Sequence, residues 1–166
     1  MSLSDFKVGT RLNAGFAILL LMTITVGSVG LLRLSQLNQM VTRIEHRMRD
    51  NGWGLWALEV DGRFAGFTGL ARPSWDRSMV EVGWRLPRWA WGHGYATEAA
   101  REALAVGFDE VGLAEIVSFT AVHNERSQAV MRRIGMTRDP ADDFDFPTIP
   151  VGHPLRRSVL YRITRP

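Results

Sequence analysis

The sequence predicts a mixed α/β domain carried behind a long N-terminal helix. Three observations predict it. Two apolar, aromatic runs, residues 53–60 and 63–70, are divided only by Asp61-Gly62. A third run, Met79 to Leu86, leads into the turn Gly92-His93-Gly94 and then into a helical pattern reaching about Gly112. No charged residue occurs between Arg11 and Arg33. Strand-like runs that alternate with helical pattern build a sheet with helices packed on it. An uncharged stretch as long as the first one belongs to a separate element.

The elements follow in order. Leu12 to Leu32 is 21 residues long, interrupted only by Asn13, Thr23, Thr25 and Ser28 among polar side chains. A helix of that length spans about 30 Å of hydrocarbon, so it reads as a membrane helix. A signal peptide is the weaker reading, because no A-x-A cleavage site follows. In residues 34–49, Leu34, Leu37, Val41, Ile44 and Met48 recur at helical spacing, and Asp50-Asn51-Gly52 is a stop. Asp61-Gly62 between two apolar runs signals a tight hairpin. A strand is predicted over 115–122 and a helix over 125–134, with Asn124 as its N-cap and Gly135 as its C-terminal stop. Residues 137–156, with Pro140, Pro147, Pro150 and Pro154, read as a long polar loop before a last strand at 157–164.

Composition narrows the function. With 46% hydrophobic and 22% charged residues over 166, the chain is neither disordered nor low in complexity. The absence of cysteine excludes disulfides, thiolate metal sites and a cysteine nucleophile. The four histidines lack metal-ligand spacing, so no metal is expected. The formal charge of +3 lies wholly in the first 50 residues, which carry six basic against three acidic side chains. Residues 51–166 balance 14 arginines with 14 acids, and no basic run marks a nucleic-acid face.

The glycine turn carries the chemistry. Gly92 and Gly94 let several backbone N–H groups converge at a helix N-terminus, an arrangement suited to phosphate or pyrophosphate. The turn lacks the third glycine of the dinucleotide fingerprint and has no G-K-[ST], which excludes NAD and P-loop readings.

Two resemblances stand on longer strings. SDFKVGTRLNAGFAILLLMTITVGSVGLLRLSQLN, within residues 1–40, resembles the start of a methyl-accepting chemotaxis receptor and implies an inner-membrane helix at 12–32. Glu81-Val-Gly-Trp-Arg-Leu-Pro, Trp91-Gly-His-Gly-Tyr-Ala-Thr-Glu-Ala, Ile116-Val-Ser-Phe-Thr and Asn124-x-x-Ser127-x-x-Val130-Met131-x-x-x-Gly135-Met136 form an ordered set. From about Val41 to Arg162 the chain closely resembles the GNAT superfamily of N-acetyltransferases, in the branch that includes the ribosomal-protein-alanine acetyltransferases. The resemblance implies a mixed, mostly antiparallel sheet splayed at two central strands. It also implies two parts: a receptor-like segment at 1–40, and at 41–166 an acetyltransferase domain lacking the family's usual first strand and helix.

The same resemblance implies direct acetyl transfer from acetyl-CoA to an amine, either a protein N-terminus or a small molecule. Amides of Trp91, Gly92, His93, Gly94, Tyr95, Ala96 and Thr97 are expected to hold the pyrophosphate. Amides around Trp84, Arg85 and Leu86 are expected to hold the pantetheine arm, with Asn124 and Ser127 touching the cofactor from the other side. Asn124 and Ser127 also read as a plain helix cap. Glu81 matches the family's strand carboxylate and is the candidate base; its bland alternative is a cross-strand salt bridge. Where many members carry a tyrosine acid stands Met131, leaving Tyr95, a water or no acid. Acetyl-CoA places the catalytic part on the cytoplasmic side, anchored through 12–32. The alternative is a non-catalytic remnant, truncated and acetyl-CoA-binding or membrane-tethered, that keeps the cofactor fold. A chemoreceptor fragment is disfavoured because no signalling coiled coil follows.

Overall fold

The computed structural model of the protein describes residues 52–166 and, ahead of them, the backbone of Arg11–Asn13. The rest of the apolar stretch and the amphipathic helix at 34–49 lie outside the described residues. Among the described residues no helix is long and apolar enough to cross a membrane.

Among the described residues, eight strands and two α-helices of two to eleven residues follow one another, and one sheet gathers the strands. Strand β1 is Arg11–Asn13, β2 Leu55–Val60, β3 Arg63–Ala71 and β4 Glu81–Arg85. Helix α1 is Tyr95–Ala105, strand β5 Glu115–Ala121 and helix α2 Glu125–Arg133. Short strands β6 (Thr137–Arg138) and β7 (Phe144–Asp145) precede β8 (Arg157–Thr164). The sheet order is β1-β2-β3-β4-β5-β8-β6, with β7 also on β8. Every pairing is antiparallel except β4 with β5, so the mixed, mostly antiparallel class is the one predicted.

Three local outcomes follow from elementary geometry. Asp61 and Gly62 have φ of 50° and 74°, both positive, as a two-residue turn matched to strand twist requires. The helix predicted to reach about Gly112 is regular only to Ala105 and then widens into a π-turn at Val106–Glu110, closed by Val111 N–H donating to Val106 O at 3.0 Å. The predicted loop 137–156 holds β6 and β7, each too short to leave a periodic signature.

One strand was not anticipated. Leu12 and Asn13, read as the start of the apolar helix, stand instead in β1, opposite Leu58 and Ala57. The open edge of β2 offers unpaired N–H and C=O groups, which any extended segment can satisfy whatever its side chains.

The helices cover one face of the sheet. Leu70, Val82, Ile116, Val159 and Tyr161 meet Ala100, Ala103, Leu104 and Phe108 of the α1 segment and Val130, Met131 and Ile134 of the α2 segment. Small residues bring α1 close: Ala99, Ala100 and Ala103 are wholly buried, and a Cβ on Gly107 would stand 2.5 Å from Ile116 Cδ1. A second cluster, Leu58, Val60, Ala65, Ala90, Tyr95 and Ala99, lies under the first turn of α1 and anchors the glycine turn ahead of it.

Candidate functional site

The site begins where the sheet divides. Strands β4 and β5 pair at one position, Glu81 with Val117, through Val117 N–H donating to Val80 O at 2.9 Å. Beyond it they run on without pairing while each keeps its other neighbour, β3 and β8. The result is a V, closed at Glu81 and open toward Arg85 and Ala121. Alternation along a strand decides which backbone groups face the gap. Since Val80 O points to β5, so do the amide and carbonyl of Trp84. Arg85 is opposite Phe67, and its backbone groups belong to the β3 ladder. Of the three residues expected to offer amides to a pantetheine arm, Arg85 is therefore turned away. Leu86 lies past the strand end, and its carbonyl accepts the Trp91 indole N–H at 2.9 Å.

The glycine turn stands at the open end of the V. Gly92 and Gly94 have φ of 82° and 88°, a left-handed conformation that costs a non-glycine residue about 1–2 kcal/mol. A Cβ at either would meet nothing within 4 Å, so the turn is open to solvent as well as strained for other residues. Trp91 N–H donates to Arg88 O at 3.1 Å and Thr97 N–H to Gly94 O at 2.9 Å. Those two members of the predicted cradle are already engaged. The amides of Gly92, His93, Gly94, Tyr95 and Ala96 find no backbone acceptor among the described residues. They precede the first intrahelical bond, where the helix presents partial positive charge. The Tyr95 ring is buried and stacks on His93, centroids 5.3 Å apart. The donor set suits a phosphate or pyrophosphate, since it offers amides and positive dipole with no side chain in the way.

Glu81 occupies the closed end. It is half-buried, and its Oε1 lies 3.5 Å from where a Cβ on Gly83 would be, so the missing side chain leaves room beside the carboxylate. Thr68 Oγ1 donates to Gly83 O at 3.3 Å and braces that stretch of β4. Glu81, Val117 and Phe119 share the face opposite the helices. There Trp75, Phe119, Phe144 and Phe146 pack together, with centroids from 4.9 to 6.2 Å. This aromatic wall holds the 72–80 and 140–156 loops against β5. The Trp75 indole nitrogen is buried in it and has no hydrogen-bond partner among the described residues.

Across the V, Asn124 caps α2: its Oδ1 accepts from Ser127 N–H at 3.2 Å, and its Nδ2 donates to Thr120 Oγ1 at 2.9 Å and Ser127 Oγ at 3.1 Å. The capping role is thus realised in full, at the mouth of the V. Met131 is buried in the core and carries no proton to give. The other tyrosine hydroxyl, on Tyr161, accepts from Arg132 at 3.2 Å and donates to Gln128 Oε1 at 3.4 Å beneath α2. His153 is spent in a local turn, its Nδ1 accepting from Leu155 N–H at 3.1 Å.

Sequence reasoning missed two arginines. The Arg126 guanidinium lies 4.7 Å from the centroid of the exposed Trp91 ring, and that of Arg88 lies 5.8 Å from it. Nothing in the local pattern of α2 marks Arg126, because its neighbour belongs to a turn 35 residues earlier.

Comparison with known proteins gives two family matches. An acetyltransferase (GNAT) domain matches residues 26–137, and a four-helix-bundle sensory module for signal transduction matches residues 5–46. The matches overlap over 26–46, so the predicted boundary at 40–41 falls inside the shared stretch. The FsC-acetyl coenzyme A-N(2)-transacetylase of Aspergillus fumigatus is 36% identical over 121 residues, which cover 69% of this chain and 51% of that protein. The chain spans between 45% and 64% of the length of the curated relatives it matches. An acetyltransferase of Agrobacterium tumefaciens is similar in structure, with a TM-score of 0.63 at 26% identity over 79% of this chain and 72% of that one. A ribosomal L7/L12 alpha-N-protein acetyltransferase, solved in complex with coenzyme A, has a TM-score of 0.65 at 15% identity over 78% and 72%, a likeness of fold alone.

Proposed function

The chain belongs to the GNAT acetyltransferase family, and on that premise we propose that it transfers an acetyl group from acetyl-CoA directly to an amine. One observation carries the reading: a single strand, β4, joins the glycine turn with its unclaimed amides to a half-buried carboxylate at the closed end of the V.

Acetyl-CoA supplies an activated acyl group on a thiol that leaves readily. The amides of Gly92 to Ala96 hold its pyrophosphate, and the Trp84 backbone groups facing the gap bond the arm. The amine approaches on the Glu81 face and must lose a proton to attack. Glu81 takes that proton, directly or through one water. A backbone N–H facing the gap polarises the carbonyl as charge develops on its oxygen. No side chain is needed to protonate the leaving group. A thiol has a pKa near 8.5, so its thiolate departs without full protonation. This accommodates Met131 and leaves Tyr95 and Tyr161 to packing.

The names of the relatives support an amine acceptor, on a protein N-terminus or on a small molecule. We place the catalytic part, from about residue 41, on the cytoplasmic side, where acetyl-CoA is found; a single span over 12–32 would set β1 and β2, which pair in one sheet, on opposite sides of a membrane, so the anchor expected there is not carried into this reading. Fractionation of cells that express the full chain tests that placement, with amine-dependent thiol release expected in the cytoplasmic fraction.

The chemistry is tested by thiol release from acetyl-CoA against a panel of amines. Amine-dependent release is expected, and Glu81→Gln should lower kcat/KM by about 10²-fold or more while leaving the KM for acetyl-CoA near its original value. Binding of acetyl-CoA with no amine-dependent release would instead favour the non-catalytic remnant.

A further inference from the structure

The face that carries Glu81 also carries an aromatic surface that the transfer step leaves unused. Glu81 and Gly83 point the same way from β4, as do Val117 and Phe119 from β5, so Phe119 stands across the gap from Gly83. Gly83 puts no side chain there: a Cβ on it would meet only the Glu81 side chain, its Oε1 at 3.5 Å. Phe119 packs with Trp75 from the 72–80 loop, Phe144 of β7 and Phe146 just beyond it. Every pair of these rings lies within 6.2 Å, yet all four residues stay only half-buried. Single apolar side chains at a surface need no occupant, but a contiguous half-open aromatic surface beside a candidate base marks a place where something binds.

The chemistry of the wall limits what it takes. Its four side chains hold one polar atom between them, the Trp75 indole nitrogen, which is buried and has no partner among the described residues. A buried donor costs free energy until it meets an acceptor. The charges flanking the wall are paired with one another, Asp143 with Arg138 and Asp145 with Arg156 and Arg157, so the surface suits an uncharged body. A peptide brings an amide N–H and a carbonyl with every residue, and burying these against phenyl rings without partners is costly. A flat ring bearing one oxygen matches better. Trp75 already meets Phe119 at 67°, and Phe119 meets Phe144 at 76°, both edge to face, and a further ring extends that packing. Its oxygen gives the Trp75 N–H an acceptor. We propose that the acceptor is a small primary amine whose body is an oxygen-bearing aryl ring, seated on Trp75, Phe119, Phe144 and Phe146 with its nitrogen toward Glu81. The nitrogen bonds the acetyl carbon as the C–S bond breaks, one N–H proton passes to Glu81, and the products are the N-acetyl arylalkylamine and the coenzyme A thiolate. The proposal rests on the acetyl-transfer reading and deepens it, choosing a small molecule over a protein N-terminus.

Thiol release by the full chain from acetyl-CoA is compared for tyramine, phenethylamine, 2-cyclohexylethylamine and an alanine-initiated peptide. Tyramine should exceed the cyclohexyl amine and the peptide by about tenfold in kcat/KM, with phenethylamine between, as the loss of one aromatic contact and one hydrogen bond predicts. Trp75→Phe keeps a ring and removes the donor, and should bring tyramine and phenethylamine to the same kcat/KM. Phe119→Leu should shrink the ratio of tyramine to the cyclohexyl amine several-fold. The native ratios decide alone should either variant fail to fold. Tyramine no faster than its two analogues, a preference for the peptide, or ratios that survive both changes overturns the aryl subsite and leaves acetyl transfer standing. Acetyl-CoA binding with no thiol release for any of the four amines overturns both.

Discussion

At the scale of single residues, the arginine-rich composition resolves into distinct jobs. Arg88 and Arg126 stand over an exposed indole at the rim of the V, whereas Arg138 and Arg162 tie the C-terminal loop to the sheet. Arg138 hydrogen-bonds Asp143, whose side chain is only 8% exposed. That bond, more than the accompanying charge attraction, holds the Asp143 carboxyl below its usual range against the opposing effect of burial. A carboxylate depressed in the folded state adds stability above its unfolded pKa, about 3.9, and loses it as pH falls through the folded value. The native protein should therefore lose more stability between pH 7 and pH 3 than Asp143→Asn, measured as urea midpoints. Parallel curves would show the pair to be neutral. Glu98, in the first turn of α1, moves the other way: burial, then the neighbouring Glu102, raises its carboxyl above the ordinary value. The candidates for the chemistry were legible at this scale: Glu81, Gly92 and Gly94 were named from spacing and resemblance alone. Arg126 was not, since its meaning depends on a ring across the V.

At the scale of elements, capping and close approach decide stability. Asn124→Ala removes an N-cap and its bond to Thr120, and should cost about 1 kcal/mol. The loss should appear in chemical denaturation without altering cofactor binding if the residue acts only as a cap. A fall in acetyl-CoA affinity beyond that would support the cofactor contact also expected of it. Gly107→Ala puts a methyl 2.5 Å from Ile116 Cδ1 and 3.1 Å from Leu70 Cδ1 where α1 meets the sheet. Those side-chain ends must shift within a packed core, at about 1–2 kcal/mol. An unchanged unfolding midpoint would mean that the core yields freely there. Strands and helices of five residues or more were readable from periodicity, and the hairpin from Asp61-Gly62. β6 and β7 were not, because two residues carry no period and their pairing comes wholly from β8.

At the scale of the whole molecule, the single pairing between β4 and β5 is the feature on which the proposed function rests. A sheet with unsatisfied backbone groups along an internal gap is incomplete until something fills it. A ligand lying in the V should therefore act as a structural member. With coenzyme A at about 100 times its Kd, mass action predicts close to 2.7 kcal/mol of added stability, which for a chain of this size raises Tm by roughly 5–10 °C. A thermal shift near zero at saturating ligand would argue against occupation of the gap. The extra strand β1 shows the same principle at the outer edge, where β2 takes up a segment that its own side chains marked as something else.

The sequence by itself determined the hairpin, the two caps, the strand–turn–helix unit and the identity of the glycines. Each of these is settled by residues adjacent in the chain, through φ preferences, side-chain period and local hydrogen bonds. Only the tertiary structure decided that Trp84 rather than Arg85 turns its amide to the gap, that Trp91 and Thr97 are already engaged, and that Arg88 and Arg126 share a ring. It likewise decided that Leu12 and Asn13 lie in a strand. The physical reason is common to all of them: a backbone group or a guanidinium is free or taken according to which partner the fold brings beside it.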